Sequence, residues 1–356
     1  MVKRGFFFGE LPPKTIHGVS LSNEINVYIL KKVYDIDVIE EFSDIKYHNK
    51  LSINKLKNFL FPLFYCWRYF RSNNYDFYYG VIYLSSFGLL KNILLVIPFK
   101  ICNPKAHIVL HFHRSDLETC LSNILNLAFF KTLDFFVNKY IVLSQKQVEE
   151  VKKHSANQIL LLYNSIEEYV LKTESKIQVE PKTVKLLFLS NFIQQKGFYD
   201  LLEAQKRLNL LYPNLFELNC YGSFSNTSQK EFNIEELKKS NINIFYRVYG
   251  EKKKQVLNEA DLVILPSYNE GLPLILLEAL FVGKPIIISN VGYIEEILSK
   301  DYPFYCNAGD IDSIINSIIK FRENTDVKKL VPFLQNIYSR FSLKKHEEDL
   351  LRIFNQ

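Results

Sequence analysis

Short apolar runs alternate with amphipathic stretches along the first half of the chain. The runs are rich in β-branched and aromatic residues and predict strands at 4–8, 77–84, 106–111, 140–143 and 159–163. Helical spacing between them predicts helices at 20–32 and 121–137. Strand–helix alternation is typical of a parallel sheet covered by helices.

The second half of the chain repeats the alternation. Strands are predicted at 185–189, 216–221, 243–246, 261–265 and 285–289, with helices at 199–211, 252–259, 273–281 and 294–298. The fold class is therefore α/β, with two Rossmann-like domains on either side of a polar linker at 167–183. The expected divisions are 1–170, 171–335 and a C-terminal helix within 336–356. The sequence leaves open whether that helix packs back on the first domain.

Residues 261–285 combine a buried strand, a turn-rich loop and an apolar helix. Pro273 suits the first turn of this helix, because the N–H that proline lacks has no partner there. The amides near Gly271 and Leu272 and the helix dipole predict a diphosphate site, which glycine lets the ligand approach closely. Glu278 is an acid in an apolar stretch, where an unpaired carboxylate is costly. It accepts hydrogen bonds from two ribose hydroxyls or, alternatively, pairs with a structural base.

The motif around Glu270 and Glu278 carries a family resemblance. Seven residues separate the two acids inside the string PSYNEGLPLILLEA, and GKP follows. This string resembles glycosyltransferase family four, whose members are retaining enzymes of the GT-B fold, with a cleft between two domains. The resemblance implies that Glu270 contacts hydroxyls of the donor sugar. The alternative for Glu270 is an acid at the entry of a helix.

A second match to the family covers residues 186–204. It implies that Lys196 contacts the donor phosphates as a point charge, whereas the alternative is a solvated lysine. Asn191 stands where the family usually has arginine, so one of two usual cations is missing. A weaker match places Tyr249 in the stretch that lines the base pocket.

Two loops of the first half also match the family. Gly18 follows the first strand, where family members bring a glycine loop close to the donor diphosphate. His113 follows the strand at 106–111, near the expected donor sugar, and alternation places His111 and His113 on the same side. The alternatives are an ordinary loop and a structural histidine. Glu270, Lys196 and His113 form the expected catalytic set.

The resemblance implies transfer of a sugar, with retention, from a nucleotide-sugar donor to a glycan or lipid-linked acceptor. The pathway expected by association is bacterial surface polysaccharide synthesis, of lipopolysaccharide or capsule. The departing phosphate would help to deprotonate the acceptor, and no cofactor or metal is expected. Of two Asp-x-Asp pairs, we interpret Asp35–Asp37 as a charged turn and Asp310–Asp312 as a helix cap. The alternatives are a sugar-nucleotide epimerase and a non-catalytic nucleotide-sugar-binding protein.

Composition and charge restrict the classes of partner and the cellular location that the sequence predicts. A net charge of +6 does not suggest a nucleic-acid-binding protein. Five widely spaced cysteines without a CxxC motif predict free thiols in a reducing cytoplasm. The apolar segment 77–99 is interrupted by polar residues and predicts a strand and a core helix rather than a membrane span. Residues 50–71 carry five bases and no acid among aromatic residues, which predicts peripheral membrane contact or, alternatively, a packed helix with snorkelling bases.

Overall fold

The computed structural model describes residues 2–41, 53–166, 183–224, 234–323 and 327–355. The chain divides into two compact units. Unit 1 comprises Met1–Ser165 and Lys344–Gln356, and unit 2 comprises Ile166–Leu343. The predicted linker lies outside the described residues apart from Thr183.

Unit 1 is built on a six-stranded parallel sheet with the order β2-β1-β3-β4-β5-β6. Its strands are β1 Arg4–Gly9, β2 Asp35–Glu40, β3 Phe77–Val81, β4 His107–His111, β5 Lys139–Val142 and β6 Gln158–Leu161. Its helices are α1 Gly18–Lys31, α2 Ile53–Ser72, α3 Ser86–Cys102, α4 Leu117–Leu121, α5 Ile124–Asp134, α6 Gln145–Lys152 and α14 Leu343–Asn355, which belongs to this unit from Lys344 on. Central strands such as Phe77–Val81 are buried at every position, as expected where helices cover both faces.

Unit 2 is a second six-stranded parallel sheet, with the order β12-β11-β10-β7-β8-β9. Its strands are β7 Val184–Leu189, β8 Phe216–Gly222, β9 Ile242–Tyr246, β10 Leu262–Leu265, β11 Ile286–Ser289 and β12 Tyr305–Cys306. Its helices are α7 Phe198–Leu211, α8 Ile234–Lys239, α9 Gly250–Glu259, α10 Leu274–Phe281, α11 Ile294–Leu298, α12 Ile311–Glu323 and α13 Val327–Ser339. The strand order is that of a dinucleotide-binding Rossmann fold, and its direction of progression reverses between β7 and β10. The predicted fold class, two Rossmann-like α/β domains, is confirmed.

Several local predictions were wrong. Asp35–Asp37 does not form a charged turn but opens the edge strand β2, where Asp37 accepts hydrogen bonds from Arg4 at 2.9 Å and from Tyr75 at 2.7 Å. Three of its six residues are acids, so the segment lacks a long apolar run, and it lies at the edge of the sheet, where β1 is its neighbour among the described strands. The helix expected at 121–137 is divided between α4 and α5, and Asn123 caps the second of these.

The C-terminal region forms two helices, α13 and α14, and α14 lies within the range 336–356 that was expected to hold a C-terminal helix. In unit 1, Lys139 donates a hydrogen bond to the carbonyl of Ile353 at 2.8 Å, and the ring of Phe354 lies edge-on to Phe77 and Tyr79. These contacts tie the last helix of the chain to β3 and β5.

Other predictions were confirmed. The segment 77–99 forms β3 and the greater part of α3. Asp310 caps α12, because its carboxylate accepts a hydrogen bond from the Ser313 amide at 2.9 Å. All five cysteines are free. Within the described ranges, no helix has both the length and the apolar character needed to cross a bilayer.

Candidate functional site

Lys196 and Glu270 meet where the strand order of unit 2 reverses. Lys196 ends a 3-10 turn after β7, and Glu270 lies in the loop between β10 and α10. The ammonium lies 2.7 and 2.8 Å from the two carboxylate oxygens of Glu270, and Ser267 donates to one of them at 2.7 Å. Glu270 is only 6% exposed. Open α/β sheets bind ligands at such a reversal point, beyond the carboxyl ends of the strands.

Gly197 allows the loop that holds Lys196 to pack closely. Its φ of +67° lies in the left-handed region that favours glycine. A Cβ at this position would lie 2.1 Å from the carbonyl oxygen of Pro266, in the loop that follows β10. The two loops therefore approach each other backbone to backbone, and this contact brings the lysine to the acid.

Glu278 lies on α10, is 7% exposed and forms an ion pair with Lys253 of α9. Its Oε1 accepts the hydrogen bond from Lys253, whereas its Oε2 is buried and has no hydrogen-bond partner in the described part of the chain. The carboxylate thus has the structural base that sequence analysis offered as one alternative. Its Oε2 remains an unsatisfied acceptor, to which the ligand contact offered as the other alternative would apply.

Asn191 follows β7, and its side-chain oxygen accepts a hydrogen bond from the guanidinium of Arg247, which follows β9. Both side chains are half-buried. Arg247, from another loop, therefore contacts Asn191, which stands at the position where the family usually has arginine.

The start of α10 differs by one residue from the prediction. Pro273 is the N-cap, with φ −70° and ψ 131°, and the helix begins at Leu274. Gly271 and Leu272 precede the cap, at the N-terminus of this eight-residue helix. The diphosphate site expected there remains a prediction. Tyr249 is the N-cap of α9, the helix that carries Lys253, and is 46% exposed.

His113 follows β4 in unit 1. Its ring centroid lies 4.0 Å from that of His111, so the prediction that both rings point to the same side is confirmed. Burial, reinforced by nearby His17, lowers the pKa of His113 to about 3, and burial holds the pKa of His111 well below its usual range. Both rings are therefore neutral near pH 7. The Nε2 atoms of both are buried and have no hydrogen-bond partner among the described residues.

Gly18 is the first residue of α1. His17 caps this helix in a reciprocal arrangement with Ser20, and its Nε2 lies 2.8 Å from a carboxylate oxygen of Glu10. A Cβ on Gly18 would meet no atom within 4 Å. Protein packing therefore does not require glycine here, which leaves room for close approach by a ligand.

Sequence analysis did not single out Lys253, Arg247 or Ser267. No local pattern marks Lys253 or Arg247, because each acts on a residue of a different loop or helix. Ser267 lies inside the recognised string PSYNEGLP and could have been inferred from its spacing to Glu270.

Comparison with known proteins finds a family match in the second half of the chain. Residues 171–339 match the family model described as Glycosyl transferases group 1. An uncharacterized glycosyltransferase of Methanocaldococcus jannaschii is 22% identical over 222 residues, which are 62% of this chain and 60% of that protein. A stretch of 70 residues, 19% of this chain, is 34% identical to 18% of the Escherichia coli UDP-Gal:alpha-D-GlcNAc-diphosphoundecaprenol alpha-1,3-galactosyltransferase. The matched regions thus span less than two thirds of either relative.

The fold of the chain as a whole also has a solved counterpart. Sucrose-phosphate synthase from Thermosynechococcus elongatus superimposes with a TM-score of 0.78 over 99% of both chains, at 13% identity. At 13% identity this structural similarity supports the fold alone. The family match rests on the sequence of residues 171–339. Residues 171–339 of the chain are therefore similar in sequence to a glycosyltransferase group 1 domain.

Proposed function

We propose that the protein is a retaining glycosyltransferase of family four that transfers a sugar from a nucleotide-sugar donor to a glycan or lipid-linked acceptor. In the proposed reaction the bond between the anomeric carbon and the phosphate oxygen breaks, and the acceptor oxygen bonds to the same face of the sugar. The acceptor proton passes to the departing phosphate. Lys196 and the amides at the start of α10 stabilise the developing phosphate charge without a metal.

The observation that carries this proposal is the Lys196–Glu270 pair at the reversal point of the unit 2 sheet. A cation for phosphate and an acceptor for sugar hydroxyls lie side by side there, ahead of a helix N-terminus. The Oε2 of Glu278, which is buried and has no hydrogen-bond partner among the described residues, would supply the acceptor for ribose. The E. coli relative uses a UDP-sugar and an undecaprenol-linked acceptor, which supports a uridine donor and a lipid-linked acceptor in surface polysaccharide synthesis.

A thermal-shift panel of nucleotide sugars tests the donor site. A ligand at a concentration of 100 times its Kd stabilises the protein by about 2.7 kcal/mol, and Lys196→Met should remove most of the shift. The stabilising donor is then incubated with lipid-linked acceptors and EDTA, and the anomeric configuration of the product is read by NMR. Product with inverted configuration, or no transfer unless a divalent metal is present, would contradict the proposal. Isomerised donor without acceptor would indicate an epimerase, and binding without turnover a non-catalytic protein.

We further propose that α2 brings the protein to the inner face of a membrane. Its inner side packs Leu63, Cys66 and Phe70 into the core, as the packed-helix alternative requires. Its outer side exposes Phe64 at 70% beside the exposed base Arg68. An aromatic side chain next to a base suits the interface of an anionic bilayer.

Sedimentation with phosphatidylglycerol vesicles tests this contact. Replacing Phe64 by Ser and Arg68 by Gln together should release the protein from the vesicles, whereas Lys206→Gln on unit 2 should not. Equal binding by all three proteins would exclude this helix as the contact.

A further inference from the structure

A buried chain of hydrogen bonds links the C-terminal helix to the histidine beside His113. On α14, the Nδ1 of His346 lies 2.7 Å from the carbonyl oxygen of Tyr163, and its Nε2 lies 2.6 Å from the side-chain oxygen of Asn26 on α1. The amide nitrogen of Asn26 lies 2.8 Å from the hydroxyl of Tyr79 on β3, which lies 2.9 Å from Nδ1 of His111 on β4. The four linked side chains are at most 5% exposed. Bulk water therefore has little access to them.

The protons along this chain can be counted. A backbone carbonyl only accepts, so Nδ1 of His346 carries a proton that it donates to Tyr163. With the side-chain oxygen of Asn26 facing His346, Nε2 would also have to donate, which requires a charged imidazolium. His346 touches only neutral groups through its ring nitrogens. Burial lowers its pKa to about 4.

Charged groups near His346 do not reverse this conclusion. Glu347 and Asp349 on its own helix raise its pKa, but less than burial lowers it. Glu347 is already paired with Lys32 of α1 at 3.0 Å, and Asp349 with Lys345 at 2.9 Å. Tyr79 and His111, the other titratable groups in this chain of hydrogen bonds, are neutral near pH 7. Burial raises the pKa of Tyr79 and lowers the pKa of His111.

When His346 is neutral, the donors and acceptors along this chain of hydrogen bonds exchange roles. Its Nε2 then accepts, so the Asn26 amide turns by half a rotation and donates its N–H to that nitrogen. The amide oxygen now accepts from the hydroxyl of Tyr79. That hydroxyl oxygen is left to accept from Nδ1 of His111. A neutral imidazole has one N–H, so Nε2 of His111 keeps a bare lone pair.

We propose that His346 is a positioning residue: through Asn26 and Tyr79 it keeps the His111 proton on Nδ1, so that Nε2 offers a lone pair to a hydroxyl of a substrate bound beside His113. The substrate class rests on the proposed sugar transfer, whereas the position of the proton does not. The Nε2 atoms of His111 and His113 are both buried without a protein partner in the described ranges, and a buried polar atom of this kind needs one. A sugar hydroxyl can donate to one nitrogen and accept from a second.

The position of the proton can be measured directly. The full chain is labelled with ¹⁵N-histidine, and long-range ¹H–¹⁵N NMR at pH 7.5 identifies the protonated nitrogen of His111, which is assigned by its loss in His111→Gln. We expect a pyrrole-type Nδ1 and a pyridine-type Nε2. A pyrrole-type Nε2 in the unaltered protein would overturn the proposal.

Two variants separate positioning from a merely structural role. His346→Gln should preserve the proton position, because a glutamine amide can donate to the Tyr163 carbonyl and accept from Asn26. Tyr79→Phe keeps the ring but removes the relay hydroxyl, so His111 should become a mixture of tautomers and kcat should fall about tenfold, as for one lost hydrogen bond. An unchanged His111 tautomer in Tyr79→Phe would overturn the proposal. Absence of transfer by every protein would refute only the proposed function, because the NMR result is independent of activity.

Discussion

The ion pair between Lys196 and Glu270 allows a quantitative prediction. An ion pair broken in the protein interior costs about 3–5 kcal/mol, whereas an exposed pair contributes at most about 1 kcal/mol. The Lys196 side chain is 28% exposed and that of Glu270 is 6% exposed, so this pair falls between the two cases. We expect a coupling free energy of about 1–2 kcal/mol between Lys196→Met and Glu270→Gln in a double-mutant cycle. Glutamine still accepts the Ser267 hydrogen bond, so the cycle isolates the charge.

The assay must report on unit 2. The single tryptophan, Trp67, lies in unit 1, so its fluorescence does not follow this site. Amide hydrogen exchange in graded urea, read on peptides that cover α10, gives the local free energy of unfolding. The matched control is the exposed pair Lys206–Glu236 on the same unit, for which a much smaller coupling is expected.

Nucleotide binding gives a second and opposite signature. Lys196→Met should weaken binding of the nucleoside diphosphate, because a phosphate partner is lost. Glu270→Gln should strengthen it several-fold, because the ammonium loses its competing carboxylate. Coupling no larger than that of the control pair would refute the strength assigned to the ion pair. A shift of nucleotide binding in the same direction in both variants would refute the assignment of Lys196 to the donor phosphates.

Four further predictions concern single positions. Gly197→Ala should destabilise unit 2 by about 2–4 kcal/mol in the same exchange assay, because of its left-handed φ and the contact with Pro266, whereas Gly18→Ala should leave unit 1 stable but weaken donor binding in the thermal-shift assay. The pKa of His346 is about 4 in the folded state and about 6.5 when unfolded, so the unfolded state takes up the proton first. Stability should therefore fall from about pH 6.5 towards pH 4 by up to about 3 kcal/mol, and urea unfolding of His346→Gln should show a flatter pH profile. Glu278→Gln should weaken binding of the nucleotide more than that of the corresponding 2′,3′-dideoxynucleotide in calorimetry; equal losses would exclude a ribose contact.

Local sequence determined the architecture and part of the site. Strand–helix alternation predicted both sheets because side-chain burial repeats with the period of each element. The loop and helix around Glu270 and Glu278 followed from turn chemistry and from one acid in an apolar helix. The edge strand Asp35–Glu40 was missed because half of its residues are acids, which pair with Arg4 and Lys14 and leave a weak apolar signal.

Tertiary structure alone decided the partners of these groups. Glu278 meets Lys253 across 25 residues, Lys196 meets Glu270 across 74, and His346 meets Asn26 across 320. Hydrophobic periodicity predicts which face of an element is buried, but it does not predict which distant element packs against that face. Partner choice therefore depends on strand order and loop packing, which arise when the whole sheet assembles.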